Sequence, residues 1–136
     1  MKKQTRSEAR EAVFTQVFQL STQRENMQEA REILLQERPE CEQNIGYITE
    51  VTEGVIEHEA EITEIISSNL KGGWSFNRLS KPTKAILMVA VYEMKFCEDV
   101  PPKAAINEAV ELAKKYCDEK EPSFINGILG SILKSL

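Results

Sequence analysis

Ser80-Lys81-Pro82 followed by Ala85-Ile86-Leu87-Met88-Val89-Ala90-Val91-Tyr92 decides the fold class. The first three residues read as a helix start, because proline is tolerated in a first turn whose N–H groups have no intrahelical acceptor. The apolar run that follows is far too short to span a bilayer. Through Ile86, Leu87, Val89, Ala90 and Met94 it is apolar on nearly every helical face, to about Cys97. Such a helix belongs at the buried centre of a domain.

The stretches on either side repeat the helical period. Pro101-Pro102 opens a helix with Ala105, Ile106, Ala109, Val110 and Ala113 facing inward, and Pro122-Ser123 opens the last, with Phe124, Ile125, Ile128, Leu129, Ile132 and Leu133. Upstream, Lys71-Gly72-Gly73-Trp74 interrupts the pattern and marks an internal boundary. Before it, Ile45, Ile48, Val51, Val55, Ile62, Ile65, Ile66 and Leu70 trace one long stripe, with a bend or division expected between Val55 and Ile62. Met27, Ala30, Ile33 and Leu34 form a shorter helix stopped near Pro39. Thr5-Arg6-Ser7-Glu8 fits a capping box, and behind it Ala9, Val13, Val17 and Leu20 recur at i, i+4, widened by Phe14 and Phe18. Nothing reads as a strand. The expectation is an all-α domain of six or seven helices in two packed helical subdomains, about 1–71 and about 72–136.

Composition excludes several classes. Of 136 residues, 41% are hydrophobic and 29% charged, a globular balance rather than a disordered one. Six glycines and five prolines are too few for a collagen or linker. The basic N-terminus leads into no apolar segment, so no secretory signal is expected. Cys41, Cys97 and Cys117 are an odd set without CxxC spacing, which fits a reduced, cytoplasmic setting, with no zinc site and no membrane association expected. The net charge of −5 hides an asymmetry: residues 1–24 carry +3, residues 25–70 carry −10, and residues 71–136 carry +2. Local potential, not net charge, steers a polyanion, so the basic ends remain candidates for nucleic acid; solvated helix faces are the plainer alternative.

Little in the chain suggests chemistry. His58, the one histidine, sits among Glu57, Glu59 and Glu61 without a second strong metal ligand at a recognisable spacing, and reads as an exposed structural residue. There is no phosphate-binding glycine loop and no nucleophile elbow. Cys97 and Cys117 fall near helix C-termini, where the dipole raises a thiol pKa. No catalytic residue, metal or cofactor is expected.

Several tracts then come in order: Trp74-x-x-x-Arg78, Ala85-Ile86-Leu87-x-x-Ala90-x-Tyr92-Glu93, Val100-Pro101, Ala105-Ile106-Asn107-Glu108-Ala109-Val110-Glu111-Leu112-Ala113-Lys114, and Phe124-Ile125-Asn126-Gly127-Ile128-Leu129. With Arg6-x-x-Ala9 and the Phe14/Phe18 face, this set resembles the NusB family of bacterial transcription antitermination factors over nearly the whole chain. The resemblance implies an all-helical factor that pairs with the ribosomal small-subunit protein NusE and binds single-stranded boxA RNA with it. The pair then joins an RNA polymerase antitermination complex, notably on ribosomal RNA operons. It implies an RNA surface made of Lys2, Lys3, Arg6 and Arg10 with Lys120, Ser123 and Phe124, and a partner surface including Phe18, Thr83 and Lys84. Self-pairing of some members leaves a homodimer open. The end of the chain shortly after the last helix is expected to set it apart from RNA methyltransferases in which such a domain precedes a catalytic one. Departures from the family pattern include Lys120 where an acid is frequent, Met88, and Gly130 after the last tract.

The residues themselves leave alternatives. Arg6 and Arg10 are i, i+4 neighbours on one helical face, suited to phosphates. Phe124 fits either a core position or a base-stacking one, and Asn107 and Asn126 fit either buried amides or RNA contacts. A non-catalytic protein-interaction scaffold with weak RNA binding is the alternative function.

Overall fold

The structure, a computed structural model, describes residues 2–20 and 26–136. These residues form α1 (Arg6–Leu20), α2 (Met27–Glu37), α3 (Ile45–Glu57), α4 (Glu59–Ser68), α5 (Lys81–Phe96), α6 (Pro102–Tyr116) and α7 (Glu121–Ser135). Short 3-10 turns occupy Pro39–Asn44 and Phe76–Arg78, and no described residue lies in a strand.

The local signals act as their chemistry dictates. The Glu8 amide donates to Thr5 Oγ1 at 3.1 Å and the Thr5 amide donates to Glu8 Oε1 at 2.9 Å, which closes the capping box of α1. Ser80 Oγ accepts from the Thr83 amide at the head of α5, with Pro82 in the first turn. Gly72 and Gly73 have φ of 67° and 79°, left-handed values that only glycine adopts without strain, so the chain turns there between α4 and α5.

The long apolar stripe divides at His58, inside the predicted interval. His58 has φ −102° and ψ 20°, and its amide still donates to the Gly54 carbonyl at 2.9 Å. The residue is half-buried rather than exposed, which corrects its reading as a solvent-facing side chain. Its ring stacks on Phe96 with centroids 4.3 Å apart, so the helix break is covered by an aromatic surface of α5.

α5 is the centre of the molecule. Eleven of its sixteen residues are buried, and α1, α3, α4, α6 and α7 all pack against it. One contiguous apolar core runs from Ala9 to Ile132 and includes residues on both sides of the Gly72-Gly73 turn. Where α3 crosses α5, a Cβ on Gly54 would collide with the Tyr92 ring, so glycine sets the closeness of that crossing.

Candidate nucleic-acid interface

The N-terminal segment is held in place by polar contacts that sequence reading did not find. Gln4 is buried; its side-chain amide donates to Cys41 Sγ at 3.2 Å, and its backbone amide donates to Gln43 Oε1 at 2.9 Å. Asn44 Nδ2 donates to Gln4 Oε1 at 3.0 Å, and Gln43 Nε2 donates to the Lys2 carbonyl at 2.7 Å. The segment before α1 is thus strapped to the Pro39–Asn44 turn. The one available signal was a pair of amide side chains at Gln43 and Asn44, and amide side chains are too common on surfaces to single out.

This strap fixes the backbone that carries the exposed cations. Lys2, Lys3 and Arg6 are all exposed. Lys2 Nζ lies 3.2 Å from Glu8 Oε2, a surface pair that screens part of its charge. The Arg6 guanidinium lies over the Tyr47 ring, 4.0 Å from the centroid, which orients it without neutralising it.

Arg10, expected to present its charge to phosphates beside Arg6, is instead buried. Its Nε and Nη2 donate to Glu93 Oε1 and Oε2 at 2.6 and 3.0 Å, and Glu93 is wholly buried. Nη1 lies 3.6 Å from Glu108 Oε2, and Tyr47 Oη donates to Glu93 Oε2 at 3.1 Å. Burial alone would lower the pKa of Arg10, but the hydrogen bonds and charge of Glu93 outweigh it and raise it. Burial, with the adjacent Glu93 carboxylate, likewise raises the pKa of the Tyr47 hydroxyl. The guanidinium therefore ties α1 to α3, α5 and α6 from within, its charge already met by Glu93 and Glu108.

At the start of α7, Lys120 and Ser123 are exposed and Phe124 is half-buried against the core. Phe124 is therefore both a core residue and a surface one. Asn107 and Asn126 are exposed, so neither is a buried amide tying helices together. Lys120 is flanked by Asp118, Glu119 and Glu121, which leaves this segment locally acidic.

The three residues expected to face a protein partner separate. Phe18, at 37% exposure, lines a shallow apolar pocket of about 290 Å³ with Phe14, Tyr116 and Pro82. The Lys84 ammonium lies 5.4 Å from the Phe76 ring centroid, half-exposed. Thr83 is fully buried: its hydroxyl donates to Glu121 Oε2 at 3.2 Å and receives Ser80 Oγ at 3.0 Å. It joins α5 to the head of α7 from a buried position, unlike the exposed position expected of a contact residue.

The thiols of Cys97 and Cys117 are poorly activated. Burial, then the charges of Glu93, Glu50 and Asp99, push Cys97 up to about 11, and burial also raises Cys117. The direction matches the sequence expectation, but desolvation rather than the helix dipole leads it. Among the described residues, no three His, Cys, Asp or Glu side chains are grouped to hold a metal ion. No described helix is long and apolar enough to cross a membrane.

Fold and surface together define an all-helical protein built around a buried central helix, with strapped cations at one end and a half-exposed aromatic at the start of the last helix. Residues 7–134 match the NusB family, and the chain belongs to that family. It is 40% identical to the transcription antitermination protein NusB of Clostridium botulinum (strain Kyoto / Type A2), over 94% of this chain and 99% of the relative. It is 36% identical to the protein of the same name from Lacticaseibacillus casei (strain BL23), over 97% and 96% of the two chains. Among solved structures, it resembles T. maritima NusB with a TM-score of 0.83 and 34% identity, covering 98% of this chain and 93% of that one. It also resembles a chain from a crystal structure of the antitermination factors NusB and NusE in complex with dsRNA, with a TM-score of 0.82, 28% identity and coverage of 96% and 97%.

Proposed function

We propose that this chain is an RNA-binding transcription antitermination factor that binds single-stranded boxA-type RNA together with NusE. The pair then joins an RNA polymerase antitermination complex, notably on ribosomal RNA operons, in the cytoplasm. The role is one of binding rather than catalysis. The observation that carries the reading, in a member of this family, is the trio Lys2, Lys3 and Arg6, held exposed by the Gln4 strap. A backbone fixed before binding loses less conformational freedom when its cations meet phosphates. RNA would then run from the N-terminal helical subdomain (about 1–71) towards Ser123 and Phe124 in the C-terminal one (about 72–136). The pocket at Phe18 supplies an apolar surface for the protein partner.

Fluorescence anisotropy of labelled boxA and scrambled RNA, with and without NusE, tests this. Lys3→Ala with Arg6→Ala should weaken both RNAs and flatten the log–log salt dependence by about 1.4, at roughly 0.7 per phosphate contact. Wild-type affinity and slope in the double variant would refute it. The surface pair Lys2–Glu8 and the acidic middle of the chain favour a second reading, a scaffold that binds RNA weakly alone. RNA binding that is absent without NusE and unaltered by the double variant in its presence supports that reading.

A further inference from the structure

The segment between α4 and α5 holds a surface that the reading above leaves unused. From Lys71 to Lys84 the sequence carries four cations, Lys71, Arg78, Lys81 and Lys84, and no acid. In the middle stands Trp74, the chain's one tryptophan, and it is 50% exposed. An indole is costly to leave in water, and this one is not loosely placed. The Arg78 guanidinium lies over its ring at 5.5 Å from the centroid, and Phe124 meets it with ring centroids 6.0 Å apart and planes inclined by 53°. The left-handed Gly72 and Gly73 turn the chain just before it. Half of the indole surface stays open while two neighbours hold the ring.

We propose that Trp74, with Arg78, is a stacking platform for an unpaired base of single-stranded RNA, extending the Phe124 surface on to the loop before α5. This rests on the RNA-binding reading and adds residues to it. The occupant follows from the chemistry. Single strands are bound by pairing flat aromatic surfaces, which accept any base, with cations that follow the backbone. Trp74 and Phe124 provide two adjoining rings, and the acid-free segment provides the positive charge that Asp118, Glu119 and Glu121 deny to the start of α7. A protein partner would need a broader apolar patch than one indole edged by cations.

Because Trp74 is the sole tryptophan, its emission reports on this surface alone. Unlabelled boxA RNA, titrated into the wild-type chain with NusE present in a tryptophan-free form, should quench that emission. The quenching should saturate over the same concentrations as the anisotropy of labelled RNA. Trp74→Ala should weaken RNA binding by roughly 5- to 150-fold, the loss expected for one stacked base, with little change in salt slope. Trp74→Phe should recover part of the affinity. Arg78→Ala should weaken binding and flatten the slope by about 0.7 if its guanidinium also meets a phosphate. Circular dichroism checks that each variant folds, and Trp74→Phe together with wild-type quenching decides the matter if Trp74→Ala does not. Anisotropy that reports binding while tryptophan emission is unchanged overturns the platform and leaves the RNA-binding function standing. Emission that responds to NusE alone, with RNA affinity intact in Trp74→Ala, overturns it in favour of a protein contact. An absence of RNA binding by either readout removes the underlying function.

Discussion

Replacing Glu93 by glutamine preserves the side chain's size and removes its charge, and the surroundings set the consequence. The carboxylate is wholly buried and takes two hydrogen bonds from Arg10, at 2.6 and 3.0 Å, and one from Tyr47 at 3.1 Å. Without it, a guanidinium whose side chain is only 9% exposed retains Glu108 at 3.6 Å as its nearest counter-charge. A hydrogen bond to a charged group contributes about 1.5–3 kcal/mol. A buried charge left without its partner raises the cost to about 3–5 kcal/mol. For a chain of this length that corresponds to a fall in Tm of roughly 10–20 °C. Thermal and urea unfolding followed by circular dichroism measure it. The double variant Arg10→Met with Glu93→Leu should regain most of the loss, because apolar replacement of a whole buried pair is often neutral. Tyr47 provides a second readout: its pKa, raised by burial and by the Glu93 charge, should fall in Glu93→Gln. A Glu93→Gln cost below about 1 kcal/mol would mean that water or another acid replaces the carboxylate, and the buried tie between α1 and α5 would be refuted.

Gly54→Ala should destabilise by about 1–3 kcal/mol or more, since the added methyl meets the Tyr92 ring, and Tyr92→Leu in the same chain should relieve part of that; an unchanged urea midpoint contradicts the close crossing. Burial alone would raise the pKa of Glu11, but hydrogen bonds from Lys115 and Tyr116 outweigh it and hold the carboxyl below its ordinary value. A carboxyl lowered on folding contributes stability above its unfolded pKa of about 4.3 and loses it as pH falls through the folded value. Glu11→Gln should therefore be less stable than wild type at neutral pH and lose less on acidification, and urea midpoints of equal slope against pH would contradict this.

Much of the architecture follows from interactions within a turn or two of chain. The Thr5–Glu8 box, the proline in the first turn of α5, the break near His58 and the glycine turn at 72–73 are local, and each is readable from neighbouring residues. The apolar faces of α5 announce its place at the centre for the same reason, because a helix with no polar side must be surrounded. The family tracts in the second half are equally a property of the order of residues.

The interface is another matter. Arg6 and Arg10 have the same charge and the same spacing that any helical face would give them. One stays over Tyr47 in solvent, and the other turns inward because Glu93, 83 residues away, meets it. Thr83 is withdrawn by Glu121, Gln4 is fixed by Cys41, Gln43 and Asn44, and Trp74 reaches Phe124 across fifty positions. Helical periodicity records which side chains share a face, and that was enough for the fold. Whether a charge on that face is spent inside or offered to a ligand depends on which opposite charge the crossing helices bring to it, and only the tertiary structure decides that.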